Sequence, residues 1–202
     1  MTPFCAAILA GGRARRLGGA RKALIEVDGR AILDRQLEVL APRASRIAAV
    51  LAAEDDGEPF ERRGLTVLRD PVEGAGPIAA LAAALAWAGG EPLLALACDM
   101  PFIDGGVVDL VVARSRGADL AVPCADGRVQ PLLACYGAQC RALVDSSLAR
   151  GDRRLASLPD AARATGLTVE EISGTEIRKI DPELRSFVNI NEPSDRIWIE
   201  RR

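Results

Sequence analysis

The chain has 202 residues, about the size of one domain, and its 49% hydrophobic and 27% charged residues are typical of soluble globular proteins rather than of disordered or collagen-like chains. Its net charge of -2 excludes a general electrostatic attraction to nucleic acid or to an anionic membrane, so any bound anion must be held locally. The absence of histidine excludes Ser-His-Asp triads, Cys-His pairs and His-ligated metal centres.

The first half of the chain alternates short apolar runs with helical patterns. Phe4–Leu9 is apolar throughout, as in a strand that is buried on both faces of a parallel sheet. Leucines recur at helical spacing from Ile32 to Leu40, and Pro42 ends that predicted helix. Further strands are predicted at 47–52, 65–68 and 92–98, with an alanine-rich helix at 78–88.

The second half begins with the same kind of alternation. We predict a helix at 107–114, strands at 120–123 and 130–136, and a helix at 140–148. The stretch from Gly151 to Arg185 is more polar and less periodic, which predicts a looser C-terminal third of one domain. The alternation predicts a three-layer α/β/α sandwich with a mostly parallel, Rossmann-like sheet. Ligands of such sheets bind at the carboxyl ends of the strands.

The cysteines and the apolar runs indicate a cellular location. Five cysteines, an odd number without a CxxC pair, predict buried reduced thiols in a cytoplasmic protein. The longest uncharged apolar run, Ile78–Ala88, is shorter than the roughly 20 residues that a membrane span requires. The N-terminus enters a strand pattern at once, so we expect no signal peptide.

A segment rich in glycine and arginine, Leu9–Leu24, follows the first predicted strand. Its two glycine pairs allow the backbone to approach a ligand closely, and its basic residues supply positive charge. The segment lacks the Gly-Lys-Ser/Thr of a Walker A loop and the glycine spacing of a dinucleotide-binding loop. It predicts a cradle for a polyphosphate, and the alternative is a solvated basic loop. The glycines are Gly11, Gly12, Gly18 and Gly19, and the basic residues are Arg13, Arg15, Arg16, Arg21 and Lys22.

Two acidic residues end predicted strands. Asp99 follows the apolar strand that closes the first half of the chain, which is where a parallel sheet would hold a hard cation such as Mg²⁺. Asp70 ends the preceding strand, so we expect it at the same edge. The alternatives are a helix N-cap or a structural acid before Pro101 for Asp99, and a turn acid before Pro71 for Asp70.

These residues resemble the molybdenum cofactor guanylyltransferases, within the larger group of GT-A-like nucleotidyltransferases. The matching positions span nearly the whole chain in order. They are LAGG at 9–12, Arg16, Gly18-Gly19, Lys22, Asp70, Gly76-Pro77, CDMPF at 98–102, Gln130-Pro131, GDRR at 151–154 and FVNIN at 187–191. The loop with the pattern LAGGxxxRxGGxxK is the most specific of them.

The resemblance implies a role for each matched residue. On the nucleotide side, it implies that the backbone of Leu9, Ala10 and Gly11 contacts guanine and the sugar. It implies contacts to the triphosphate from Gly12, Arg16 and Lys22. Asp70 would contact the nucleoside, and Asp99 would coordinate Mg²⁺. Mn²⁺ is a possible substitute for Mg²⁺. The implied catalytic residues are Arg16, Lys22 and Asp99, and the candidates for acceptor binding are Arg154, Asn189 and Asn191. A helix-end role for Arg154 and turn roles for the two asparagines are the alternatives.

The implied reaction transfers GMP from GTP to the terminal phosphate of molybdenum-molybdopterin. The products are molybdopterin guanine dinucleotide and pyrophosphate. The acceptor phosphate is already an anion, so no histidine is needed to activate it, which fits the composition.

We expect one nucleotidyltransferase domain over residues 1–202, with the nucleotide bound by about 1–103 and the acceptor by about 104–202. Proteins of the cofactor pathway and of molybdoenzyme maturation are the expected protein partners.

The sequence departs from the family pattern at two positions. The family commonly has an asparagine near the end of its second strand that contacts the nucleotide, and this chain has only apolar residues from Val50 to Ala53. The helix after Gly76-Pro77 carries Ala80 where the family often has glycine. Base choice therefore stays open between guanine and cytosine.

Other functions stay open at this point as well. One is a cytidylyltransferase that acts on molybdopterin or on another small phosphate acceptor, and another is a non-catalytic protein that binds a nucleotide or a pterin. A sugar-1-phosphate nucleotidyltransferase is disfavoured, because those enzymes usually carry proline before the lysine of the loop, where this chain has Arg21.

Overall fold

The main element of the fold is an eight-stranded sheet. A computed structural model describes residues 3–10, 22–70 and 76–190. The strands in these ranges are β1 (Cys5–Leu9), β2 (Glu26–Val27), β3 (Arg30–Ala31), β4 (Arg46–Leu51), β5 (Thr66–Arg69), β6 (Leu93–Ala97), β7 (Leu120–Ala125), β8 (Arg128–Val129), β9 (Leu133–Tyr136) and β10 (Val169–Ser173). The sheet has the order β10-β7-β9-β6-β1-β4-β5, with β8 beside β7, and β2 pairs with β3 in a separate hairpin.

Helices connect most of these strands. They are α1 (Ile32–Leu40), α2 (Glu58–Glu61), α3 (Pro77–Ala88), α4 (Gly105–Arg114), α5 (Cys140–Ala149), α6 (Leu158–Ala164) and α7 (Gly174–Ile177). Short 3₁₀ turns lie at Ser115–Gly117, Leu155–Ser157 and Arg185–Phe187. None of the helices in the described ranges is both long and apolar enough to span a membrane.

Most neighbouring strands run parallel. β1 lies between β4 and β6 and is parallel to both, with Leu9 beside Val50 on one side and Ala97 on the other. β10 is parallel to β7, whereas β9 is antiparallel to both β6 and β7. The carboxyl ends of β1, β4, β5 and β6 therefore meet at one edge of the sheet.

The alternation of side chains along β1 explains the three layers. Ala6 and Ile8 pack into one apolar cluster together with α1 and α4. Cys5, Ala7 and Leu9 pack into a second cluster, together with α3, α5 and α6. Both faces of the strand are buried, which accounts for its uniformly apolar sequence. The predicted three-layer α/β/α sandwich with a mostly parallel sheet is confirmed.

The predicted elements differ from the observed ones mainly beyond residue 130. The strand predicted at 130–136 begins only at Leu133, and it runs antiparallel to its neighbours. The polar stretch 151–185 contains α6, β10 and α7, which the pattern did not resolve. The sequence did not predict β10, because it is an edge strand in which Ile172 is the only fully buried residue. Its sequence therefore lacks the alternation of apolar and polar residues that is typical of a strand.

Candidate active site at the edge of the sheet

The first feature of the site is an ion pair between Lys22 and Asp99. The Lys22 Nζ atom lies 3.8 Å from Asp99 Oδ2, and the two side chains are only 12% and 17% exposed. Asp99 stands two residues after the end of β6, and Lys22 belongs to the glycine-rich segment that begins at the end of β1. Since β1 and β6 are parallel neighbours, their carboxyl ends bring the two side chains together at one edge of the sheet.

The Asp99 carboxylate is held in surroundings that disfavour its charge. Burial raises the pKa of Asp99 above its ordinary value, and the smaller effects of Lys22 and of the Asp99 backbone amide oppose that rise. Its Oδ1 atom is buried and accepts no hydrogen bond from any described residue. A buried carboxylate oxygen without a partner is costly, so this atom is well suited to accept a cation.

The neighbouring thiol has no nucleophilic character. Burial, assisted by the negative charge of Asp99, raises the pKa of Cys98 to about 12. A thiol with that pKa is neutral at physiological pH, and only the thiolate is a good nucleophile. Cys98 therefore contributes packing to this edge of the sheet.

Backbone hydrogen bonds fix the segment that carries Asp99. The amide of Cys98 donates to the carbonyl of Leu9 at 3.3 Å, which joins the ends of β6 and β1. The amide of Ile190 donates to the carbonyl of Asp99 at 2.9 Å. This second bond places Ile190, and with it the neighbouring Asn189, next to the Asp99 turn.

A buried glutamine that belongs to none of the sequence motifs also holds this turn. The Gln36 side chain on α1 is fully buried, and its Nε2 atom donates to the carbonyls of Ala97 at 2.8 Å and Met100 at 3.0 Å. The available signal was a polar residue at helical spacing between two buried leucines, Leu33 and Leu40. That pattern alone does not reveal what the amide contacts.

Of the other residues predicted for the nucleotide side, Leu9, Ala10 and Asp70 lie at the same edge of the sheet. Leu9 and Ala10 are buried at the end of β1, and the Ala10 amide is already bonded to the Val50 carbonyl at 2.9 Å. Asp70 directly follows β5 at the same edge, and its amide donates to the Leu51 carbonyl at 2.8 Å. Gly11, Gly12, Arg16 and Asn191 lie outside the described residues.

The two described candidates for acceptor binding, Arg154 and Asn189, are exposed. Arg154 has an 82% exposed side chain, and its Nε atom lies 3.5 Å from an oxygen of Asp152. Asn189 is exposed, one residue before Ile190. Asn189 is linked to the Asp99 turn through the backbone amide of its neighbour Ile190, whereas the contact of Arg154 is with Asp152.

Comparisons with known proteins match this fold and this arrangement of motifs. The family model of the MobA-like NTP transferase domain matches residues 6–165. A molybdenum cofactor guanylyltransferase from Mesorhizobium japonicum is 36% identical over 195 residues, covering 93% of this chain and 90% of that protein. Another from Rhodopseudomonas palustris (strain BisB5) is 35% identical over 209 residues, covering 97% and 92% of the two chains.

The chain belongs to the molybdenum cofactor guanylyltransferase family. It is therefore a nucleotidyltransferase, and the resemblance drawn from its motifs is confirmed. A solved structure, molybdopterin-guanine dinucleotide biosynthesis protein A from Archaeoglobus fulgidus, is 28% identical with a TM-score of 0.78, covering 98% of this chain and 97% of that one. A cytidylyltransferase from Thermus thermophilus, which acts on 2-C-methyl-D-erythritol 4-phosphate, is 21% identical with a TM-score of 0.69, covering 100% and 98% of the two chains. At that identity only the fold is shared.

One carboxylate oxygen of Asp99 is suited to a divalent cation. No group of three or more His, Cys, Asp or Glu side chains within the described ranges could hold a metal. Mg²⁺ is commonly bound through one or two carboxylates, with the substrate phosphates and water completing its coordination. Asp99, with one oxygen facing Lys22 and the other without a partner among the described residues, can supply such a carboxylate.

The region where the family commonly has asparagine is organised by Arg69. β4 ends at Leu51, and the turn that follows is held by Arg69, whose Nη1 atom donates to the carbonyls of Ala52 at 3.0 Å and Asp55 at 2.6 Å. The side chains at 50–53 are apolar. An exposed guanidinium thus lies at the end of β5, next to the apolar end of β4.

Proposed function

We propose that this chain transfers GMP from GTP to the terminal phosphate of molybdenum-molybdopterin and so forms molybdopterin guanine dinucleotide and pyrophosphate. Membership of the guanylyltransferase family supports the reaction, and the proximity of Lys22 to Asp99 supports its location. The observation that carries the proposal is the ion pair at 3.8 Å, with a buried Asp99 oxygen that accepts no hydrogen bond from the described residues.

The reaction needs two anions to be brought together. A terminal phosphate oxygen of the acceptor forms a bond to the α-phosphorus of GTP, and the bond from that phosphorus to the bridging oxygen of pyrophosphate breaks. The leaving pyrophosphate takes the electron pair. Catalysis then depends on alignment of the reactants and on neutralising charge, not on a base that activates the nucleophile.

We assign these tasks to residues at this edge of the sheet. The Lys22 ammonium donates hydrogen bonds to phosphate oxygens, and Arg16 adds a second positive charge from the glycine-rich loop. Asp99 is the residue that would hold Mg²⁺ or Mn²⁺. When bound, such an ion supplies positive charge that offsets the negative charge developing on the leaving group.

We assign the nucleotide to residues 1–103 and the acceptor to residues 104–202. Leu9, Ala10, Gly11 and Gly12 would surround the nucleotide through their backbone, with Asp70 on the nucleoside side. For the acceptor we propose Arg154, Asn189 and Asn191. The hydrogen bond from Ile190 to Asp99 supports a role for Asn189 in acceptor binding, because it holds the neighbouring residue beside the site. For Arg154 the structure gives only an exposed position. We expect the reaction to take place in the cytoplasm, with proteins of molybdoenzyme maturation as recipients of the product.

The test is transfer of labelled GMP from GTP to molybdenum-molybdopterin. We expect Lys22→Met and Asp99→Asn each to lower the transfer rate by roughly 10² to 10³, as the loss of a group that stabilises charge in a transition state does. Lys179→Met and Asp126→Asn are matched controls, since Lys179 is exposed and Asp126 forms an exposed ion pair with Arg178. Both controls should keep the wild-type rate.

The same assay decides the base. We expect GTP to be used in preference to CTP, and a preference for CTP would identify a cytidylyltransferase instead. Binding of GTP without release of pyrophosphate in the presence of the acceptor would contradict catalysis altogether.

A further inference from the structure

Gln36 is an unusual residue for its place in the fold. It lies on the face of α1 that packs against the sheet, between Leu33 and Leu40, and all three side chains are 0% exposed. An apolar residue at this position would satisfy the helix pattern without burying an amide. The contacts of the amide must therefore explain what glutamine contributes here.

The amide spans the turn that carries Asp99. Its Nε2 atom donates to the carbonyl of Ala97, the last residue of β6, and to the carbonyl of Met100, the residue after Asp99. Carbonyl oxygens only accept hydrogen bonds, so the nitrogen side of the amide must face them. One side chain thus holds the backbone immediately before and immediately after Cys98 and Asp99.

These carbonyls lie at the end of the β6 strand ladder and just beyond it. The paired part of β6 ends at Ala97, so carbonyls beyond it need another donor if they are buried. Ile190 supplies that donor to the Asp99 carbonyl, as described above. Gln36 and Ile190 together engage three carbonyls in the run from Ala97 to Met100.

The other end of the same amide makes no such bond. Gln36 Oε1 is buried and accepts no hydrogen bond from any described residue. Burial of an acceptor without a partner opposes folding, so the gain from this glutamine comes from its donor side. Its effect is concentrated on the turn of Asp99.

We infer that Gln36 is a positioning residue for the proposed metal site: its amide fixes the Asp99 turn so that the carboxylate is presented to the cation in one orientation. The inference rests on the proposed function, because the cation is part of that proposal. Gln36 itself contacts neither the nucleotide nor the metal in this account; it acts through the backbone of residues 97–100.

The experiment compares Gln36→Met with the wild type and with Leu40→Val. Methionine is similar in length to glutamine but lacks the N–H donors. Leu40→Val alters the same buried face of α1 one helical turn away and leaves the amide in place. Mn²⁺ affinity in the presence of GTP is measured by electron paramagnetic resonance, and folding is measured by thermal unfolding and circular dichroism.

We expect Gln36→Met to fold and to bind Mn²⁺ at least tenfold more weakly than the wild type in the presence of GTP. In the transfer assay its requirement for Mg²⁺ should rise and kcat should fall, with the KM for GTP changed less than the metal requirement. Leu40→Val should lower the unfolding temperature without weakening Mn²⁺ binding. If the role of Gln36 were purely structural, both variants would lower the unfolding temperature and neither would weaken Mn²⁺ binding.

The outcomes separate this inference from the proposed function. If the wild type binds Mn²⁺ and Gln36→Met binds it equally well, the role of Gln36 is overturned and the metal site stands. If the wild type binds no Mn²⁺ with GTP, the proposed metal site is overturned together with this role.

A measurement on the wild type covers the case in which Gln36→Met does not fold. The side-chain amide protons of Gln36 should exchange slowly with solvent in nuclear magnetic resonance spectra, and their signals should shift when Mg²⁺ and GTP are added. Rapid exchange, or signals that do not respond to Mg²⁺ and GTP, would overturn the inference.

Discussion

At the scale of single residues, Asp99 combines a position suited to metal binding with an unfavourable environment for its charge. Burial raises its pKa although Lys22 lies 3.8 Å away. The ionised carboxylate is thus less stable in the folded protein than in water, and a bound cation would relieve that cost. A buried carboxylate with a raised pKa at this edge of the sheet is a candidate functional residue.

The first prediction concerns the stability of Asp99→Asn. Because the pKa of Asp99 is raised in the folded state, its contribution to stability is present below the ordinary value of 3.8 and is lost as the pH rises through the folded pKa. Asparagine has the shape of the carboxyl group and no charge to bury. We therefore expect Asp99→Asn to unfold at a higher temperature than the wild type at neutral pH, although its transfer of GMP is strongly reduced.

Thermal unfolding of both proteins from acidic to neutral pH checks this sign. The difference in unfolding temperature should be small in acid, where the wild-type carboxyl group is protonated, and should grow as the pH rises. A variant that is less stable than the wild type at neutral pH would contradict the account, because the Lys22 ion pair would then outweigh the cost of burial.

At the scale of elements, the sequence was most informative where strands are buried on both faces. Phe4–Leu9 predicted β1 almost to its bounds, because every residue of that strand is buried and apolar. The helix ended by Pro42 and the alanine-rich helix closed by Gly89 were also correct to within two residues. By contrast, β10 has a mostly polar sequence, because only Ile172 of its residues packs fully into the core.

The second prediction concerns the cap of α4, which follows the Asp99 segment. Asp104 Oδ1 accepts hydrogen bonds from the amides of Gly106 at 2.7 Å and Val107 at 3.4 Å. We expect Asp104→Ala to lower the free energy of unfolding by about 1 kcal/mol, since a helix loses its N-cap. Urea unfolding at neutral pH measures the change.

Asp109→Ala on the same helix is the matched control. Its carboxylate pairs with Arg43 at 3.1 Å on a partly exposed surface, where an ion pair contributes roughly 0 to 1 kcal/mol. The cap variant should lose more stability than this control. Equal losses would show that the two amide contacts of Asp104 do not stabilise the helix.

At the scale of the whole molecule, sheet topology determines which residues can meet. Lys22 and Asp99 could be predicted to lie close together because the ends of parallel strands lie at one edge, and β1 and β6 are neighbours. Gln36 could not be assigned in this way, since its role depends on α1 packing against the end of β6. Pattern locates a polar residue on a buried face; only tertiary packing shows which backbone groups it reaches.

The third prediction concerns ligand binding by the folded chain. A ligand that binds only the native state at 100 times its Kd raises the free energy of unfolding by about 2.7 kcal/mol. We expect GTP with Mg²⁺ to raise the unfolding temperature of the wild type, and GTP with a chelator to raise it less. Asp99→Asn should lose the part of the increase that depends on Mg²⁺. An equal increase with and without Mg²⁺ would contradict the role of the metal.

The most direct test of the account is a crystal structure of the wild-type protein with GTP and Mn²⁺, in which anomalous scattering locates the metal. We expect the anomalous peak to place Mn²⁺ within coordination distance of an Asp99 carboxylate oxygen. The Lys22 ammonium should donate hydrogen bonds to the phosphates of the nucleotide. A nucleotide bound away from the carboxyl ends of β1 and β6, or a metal peak remote from Asp99, would contradict the account.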